Sequence, residues 1–157
     1  MCLIALSVEK ASDWNGKDSY FFNVIANRDE YHARQTTKMH WWPNKNILAG
    51  RDEEAGGTWL GTNRDGKFAA ITNLKEQSKI KYKSSRGALV TDFLESQQSA
   101  KVYLEQIEPI KEQYAGFNLI VGDKDGLFYL CNRLEGIYFI SEGTHALGNL
   151  TLNSSTK

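Results

Sequence analysis

Three stretches of this chain, "KFAAITN", "GFNLIVGD" and "GLFYLCNR", are apolar almost without interruption. A strand with one face in water alternates apolar and polar side chains; a strand without alternation is covered on both faces. None of the stretches approaches the ~20 residues of a membrane-spanning helix. They therefore predict short strands inside a layered sandwich of sheets and helices.

The remaining elements follow from periodicity and turn chemistry. "CLIALSV" and "SYFFNVIAN" read as two strands joined at "WNGKD", where Asn15-Gly16 is a hairpin signal. "EYHARQTTKMHWWPN" reads as irregular, with Pro43 arguing against a regular element. "NILAGRD", "TWLGTN" and "KFAAITN" read as strands, the last two joined at Asp65-Gly66. Lysine-rich residues 73–85 read as a solvated loop. The period then becomes helical in "SRGALVTDFLES" and "SAKVYLEQIEPIKEQY", with Ser99 as an N-cap and Pro109 kinking or ending the second helix. "GFNLIVGD", "GLFYLCNR", "GIYFISEG" and "THALGN" close the series as strands. The order is four or five strands, two helices and four strands, a single α+β domain over residues 1–157.

Several function classes drop out on composition. Lys plus Arg and Asp plus Glu both number 19, so net charge offers no attraction to nucleic acid. No Walker loop or GxGxxG follows a strand, and no cofactor is expected. The N-terminus has no basic region before its apolar segment, which reads as a cytoplasmic chain. Cys2 and Cys131 are far apart, and His32, His40 and His145 have no ligand spacing, so neither a disulfide framework nor a metal site is expected. The acidic run Asp52-Glu53-Glu54 reads as a solvated turn.

Cys2 carries the chemistry most directly. Initiator methionine is removed before a small second residue, which leaves a thiol and a free α-amine on one residue. An α-amine titrates near ~8 and a thiol near ~8.5, so the amine can serve as the thiol's general base. The plain alternative is a buried cysteine opening a strand. Attack on an amide or ester creates an oxyanion that needs donors. Asn27, Asn73 and Asn149 each end a predicted strand, where pockets open, although asparagine is also an ordinary turn residue. Gly57 and Trp59 in "GRDEEAGGTWLG" suggest close backbone approach and a pocket wall, or else core packing.

Taken together, "MCLIAL", "ANRDEYHAR", "GRDEEAGGTWLGTNRDGKFAAITN" and "THALGNLTLN" resemble the NRDE family, the family of transport and Golgi organisation protein 2. The family name is the tetrapeptide Asn27-Arg28-Asp29-Glu30. More distantly, "MC" and "GTNRDGKFAAITN" resemble the choloylglycine hydrolase and penicillin V acylase group. This implies a four-layer αββα sandwich of N-terminal-nucleophile hydrolase type, of which this chain is the N-terminal portion, and an exposed sheet edge through which copies self-associate. It also implies Cys2 as nucleophile of a cysteine amidohydrolase acting on a small linear amide or ester, with Asn73 and Asn149 around it. In the acylases an early strand contributes an arginine and an aspartate three apart. Here that spacing gives Asn27 and Glu30, while Arg28 and Asp29 are neighbours. Strand periodicity then sets Asn27 and Asp29 on one face, with Arg28 anchoring a loop or turned inward. The family resemblance equally implies trafficking, haem, acyl-CoA or lipid handling, in which the pocket binds without cleaving.

Overall fold

The computed structural model describes residues 2–12, 15–16, 18–74 and 85–154. Two antiparallel sheets face each other. The smaller has the order β10-β1-β2, built from β1 (Leu3–Ser12), β2 (Asp18–Asn27) and β10 (Gly143–Leu147). The larger runs β3-β4-β5-β6-β7-β8-β9, from β3 (Thr36–Trp41), β4 (Leu48–Asp52), β5 (Leu60–Thr62), β6 (Phe68–Asn73), β7 (Phe117–Asp123), β8 (Gly126–Cys131) and β9 (Tyr138–Ile140). Helices α1 (Arg86–Glu95) and α2 (Ala100–Ile107) cover the outer face of the larger sheet.

The uninterrupted apolar strands are buried from both sides. Ala69, Ile71, Leu119, Val121 and Leu130 point at the helices and pack with Leu89, Phe93 and Leu104. Their neighbours Phe68, Ala70, Ile120, Leu127 and Tyr129 point at the smaller sheet and meet Ile4, Leu6 and Val8. The result is three layers of the expected sandwich, helix, sheet and sheet. Among the described residues no helix covers the outer face of β1 and β2, which presents Leu3, Phe21 and Ile25 to solvent.

Local signals set most boundaries. Gly16 and Gly66 take φ of +76° and +77° in their turns, a region open to glycine at little steric cost. The Ser99 hydroxyl accepts from the Val102 N–H and caps α2. Pro109 lies in the first turn of a 3-10 segment, Glu108–Gln113, into which α2 passes; the helix tightens there instead of stopping.

Two expectations need correction. Among the described residues six strands precede the helices. The additional one is β3, inside the stretch read as irregular; Pro43 lies in the turn after it and removes no ladder bond. Asp52 is not a solvated turn residue: its side chain is 15% exposed and ends β4 as an acceptor for two arginines. Of the lysine-rich loop, residues 75–84 lie outside the described residues.

Candidate active site

Strand pairing determines which end of "ANRDE" turns inward. β1 and β2 pair over ten residues, from Leu3↔Asn27 to Ser12↔Asp18. Ile4, Leu6 and Val8 are buried, so even-numbered positions of β1 face the other sheet. The same parity carries Cys2 to the inner face, with Arg28 as its counterpart one step beyond Asn27. Asn27, opposite the exposed Leu3, points outward and does not line the cavity described next.

A cavity of about 1180 Å³ opens at this end of the sandwich. Its walls include Cys2, Arg28, Asp29, Glu30, Gly57, Trp59, Asn73 and Asn149. These residues come from the start of β1, the segment after β2, the loop before β5, the end of β6 and the segment after β10. Asn149 lies two residues past β10 rather than at its end. Its Oδ1 accepts from the Cys2 backbone nitrogen at 3.1 Å, and its Nδ2 donates to the Asn73 carbonyl at 2.6 Å. That nitrogen is a peptide N–H while methionine precedes it and the α-amine once methionine is removed. One asparagine thus ties the beginning of β1 to the end of β6.

A second constellation on the cavity wall is centred on Asp52. Arg28 Nη2 and Arg34 Nε both donate to Asp52 Oδ2, at 3.1 and 2.8 Å. Asp52 Oδ1 accepts the N–H groups of Glu54 and Ala55, each at 3.1 Å. Burial pushes the Asp52 carboxyl up. The Arg34 hydrogen bond, the Ala55 N–H, the Arg34 charge and the Glu54 N–H outweigh this and hold it below its ordinary value. With four donors on its two oxygens the carboxylate has no lone pair free for a proton or a metal. It is an anchor that bridges the two sheets through Arg28. Glu30 takes a longer contact from Arg28, at 3.4 Å. The Asp29 carboxyl is held below its ordinary value.

Of the two glycines before Trp59, Gly57 approaches another backbone and Gly56 does not. A Cβ on Gly57 would sit 3.0 to 3.2 Å from backbone atoms of Gly87, in the first turn of α1. This contact brings Ser85, Arg86 and Gly87 to the cavity wall. The apolar residues Trp59, Leu60, Ile71 and Leu74 line the same cavity. Among the described residues no group of three or more His, Cys, Asp and Glu side chains is arranged to hold a metal. No helix among them is long and apolar enough to cross a membrane.

The structure brings Cys2, Arg28, Asp29, Asn73, Asn149, Gly57 and Trp59 to one cavity and leaves Asn27 outside it. Reading the sequence missed Asp52 and Arg34. A pairable signal was present, Arg28 and Arg34 in one segment and the acidic run Asp52-Glu53-Glu54 of opposite charge in another, but charge alone does not say which pairs meet.

Comparison with known proteins bears on the family and the fold. The family model described as "Transport and Golgi organisation 2" matches residues 1–157. The chain belongs to that family. It is 36% identical over 148 residues to the human Transport and Golgi organization protein 2 homolog, covering 88% of this chain and 54% of that protein. The Bos taurus homolog is 35% identical over 148 residues, with coverage of 88% and 54%. The Drosophila melanogaster Transport and Golgi organization protein 2 is 28% identical over 130 residues, with coverage of 76% and 45%. The chain spans about half the length of these family members. Among solved structures, a Caenorhabditis elegans N-acylethanolamine-hydrolyzing acid amidase ortholog superposes with a TM-score of 0.60 at 12% identity, over 94% of this chain and 70% of that one. The family chain therefore has the fold of an N-terminal-nucleophile hydrolase.

Proposed function

We propose that the cavity hydrolyses a linear amide or ester through Cys2. One observation carries the reading: the Cys2 nitrogen and the Asn73 carbonyl are held by the same asparagine, Asn149, on the wall of a cavity large enough for a small acyl compound. Once methionine is removed, the Cys2 α-amine takes the thiol proton. The thiolate adds to the substrate carbonyl carbon, and the resulting oxyanion accepts N–H groups from Asn73 and Asn149. The ammonium returns the proton to the leaving nitrogen as the C–N bond breaks, leaving an acyl thioester on Cys2. Water, deprotonated by the same amine, adds to the thioester, and the acid leaves with the thiol restored. Trp59, Leu60, Ile71 and Leu74 suit the acyl chain, as does the likeness in fold to an amidase of N-acylethanolamines.

The test is acylation by p-nitrophenyl acetate, with the adduct mapped by mass spectrometry and methionine removal checked by intact mass. The reading expects the adduct on Cys2 and its absence in Cys2→Ala. Adduct on Cys131 alone, or quantitative retention of the first methionine, sinks it.

A second reading is binding without cleavage, with haem or an acyl ligand as occupant. Its support is that Asn149 Nδ2 is already engaged by the Asn73 carbonyl, which takes one of that amide's two donors. Haem titration separates the two. A Soret shift lost in Cys2→Ala, with no acylation of Cys2, favours binding.

A further inference from the structure

Asn149 reaches Cys2 from a segment outside any strand, and something has to hold that segment still. Three buried polar side chains do so. Thr72 on β6 and Asn118 on β7 are paired directly opposite each other, and Tyr129 on β8 shares their face, toward the smaller sheet. Their exposures are 1%, 0% and 3%, in a face otherwise filled by Phe68, Ala70, Ile120 and Leu127.

Each bonds to the segment that carries Asn149. Thr72 Oγ1 donates to the Gly148 carbonyl at 2.7 Å. Asn118 Nδ2 donates to the Leu150 carbonyl at 2.9 Å. The Leu152 N–H donates to Tyr129 Oη at 3.2 Å. Alternate residues 148, 150 and 152 are thereby pinned, and Asn149 lies between the first two. The three side chains also bond to one another. Asn118 Nδ2 donates to Thr72 Oγ1 at 3.2 Å, and Tyr129 Oη donates to Asn118 Oδ1 at 2.7 Å.

The directions of these bonds leave little freedom. Asn118 spends both amide protons and its carbonyl; the Thr72 proton is committed to Gly148 and the Tyr129 proton to Asn118. A buried network in which every member is satisfied has one low-energy arrangement, because any other leaves a buried polar atom unpaired. Apolar side chains would fill the same space and release the segment.

We infer that Thr72, Asn118 and Tyr129 are positioning residues that fix Asn149 against the Cys2 nitrogen. The inference rests on the reading of the Cys2 site given above, and none of the three touches the cavity.

The experiment uses the full chain, 15N-labelled, with methionine removal verified. It measures hydrogen exchange of the Asn149 side-chain amide and the rate of Cys2 acylation by p-nitrophenyl acetate. Thr72→Val keeps the shape and removes the hydroxyl. It is expected to speed exchange and slow acylation by at least about tenfold each, the ratio that corresponds to one lost hydrogen bond. Thr72→Ser, which keeps the hydroxyl, is expected to restore both. Tyr129→Phe repeats both measurements should Thr72→Val fail to fold. Unchanged Asn149 exchange in a folded Thr72→Val or Tyr129→Phe protein overturns the inference. Asn149→Ala separates the two claims: acylation at the wild-type rate in that variant refutes the Cys2–Asn149 reading, while the exchange measurement still decides the positioning role.

Discussion

Replacing Asp52 by asparagine isolates the anchor from the rest of the cavity. The substitution keeps the shape, removes the charge and turns one acceptor oxygen into an N–H donor. If the amide nitrogen takes the Oδ2 position, it faces Arg28 and Arg34, donor against donor. If it takes the Oδ1 position, it faces the Glu54 and Ala55 N–H groups. Either way two of four hydrogen bonds are lost and the arginines lose the counter-ion they share, Arg28 keeping only its longer contact with Glu30. Hydrogen bonds to charged groups contribute about 1.5–3 kcal/mol each, so two lost at a site 15% exposed, with partial recovery by water, give about 2–4 kcal/mol. At roughly 2–4 °C per kcal/mol for a domain of this size, Asp52→Asn should melt about 5–15 °C lower at pH 7. The sign of the pH dependence follows from the depressed carboxyl. Its contribution is fully present above the unfolded value near ~3.9 and is lost as pH falls through the lower folded value. The difference between wild type and Asp52→Asn should therefore shrink progressively below about pH 4. Thermal melts from pH 7 down to the acid limit of folding measure it. A neutral-pH difference under about 0.5 kcal/mol, or one that does not narrow in acid, would refute the anchor argument.

Gly87→Ala should cost about 1–3 kcal/mol in urea unfolding although alanine is the better helix former, because its Cβ would lie 3.1 Å from the Thr58 carbonyl oxygen. Lys67→Met should lower stability by about 1–3 kcal/mol, since Lys67 Nζ donates to the Ser96 and Gln98 carbonyls at 2.7 Å and caps the end of α1. Amide exchange in the last turn of α1 should quicken in the same variant. Phe93→Ala, which empties a fully buried site between α1 and α2, should cost about 3–5 kcal/mol by the same unfolding assay.

The strands buried on both faces were legible because their composition admits few other roles, and the ends of β2 and β6 because asparagine marks them. β3 was not legible. Five of its six residues are exposed, so Thr36, Thr37 and Lys38 show no alternation to detect. Asp52 reads as solvent-facing in any local window; only the arrival of Arg28 from the other sheet and Arg34 from the intervening loop makes it an anchor. Asn118 left a trace that went unread, a single amide within "FNLIV". A buried polar residue there requires partners, yet those partners, Thr72 and Tyr129, are assigned only by the pairing of β6, β7 and β8. Asn27 and Arg28 were separable by periodicity alone, but which of the two turned inward depended on register with β1.

That register also limits how the chain can change length. One residue inserted between the hairpin tip and Asn27 would exchange the faces of everything after it, sending Arg28 to solvent and Asn27 inward. Two residues would restore the faces but carry Arg28 about 7 Å along the strand, away from Cys2 and Asp52. The arms of the β1–β2 hairpin thus tolerate substitution on their outer face and not insertion. Length differences between family members are accordingly expected at the tip, between Ser12 and Asp18, farthest from Cys2.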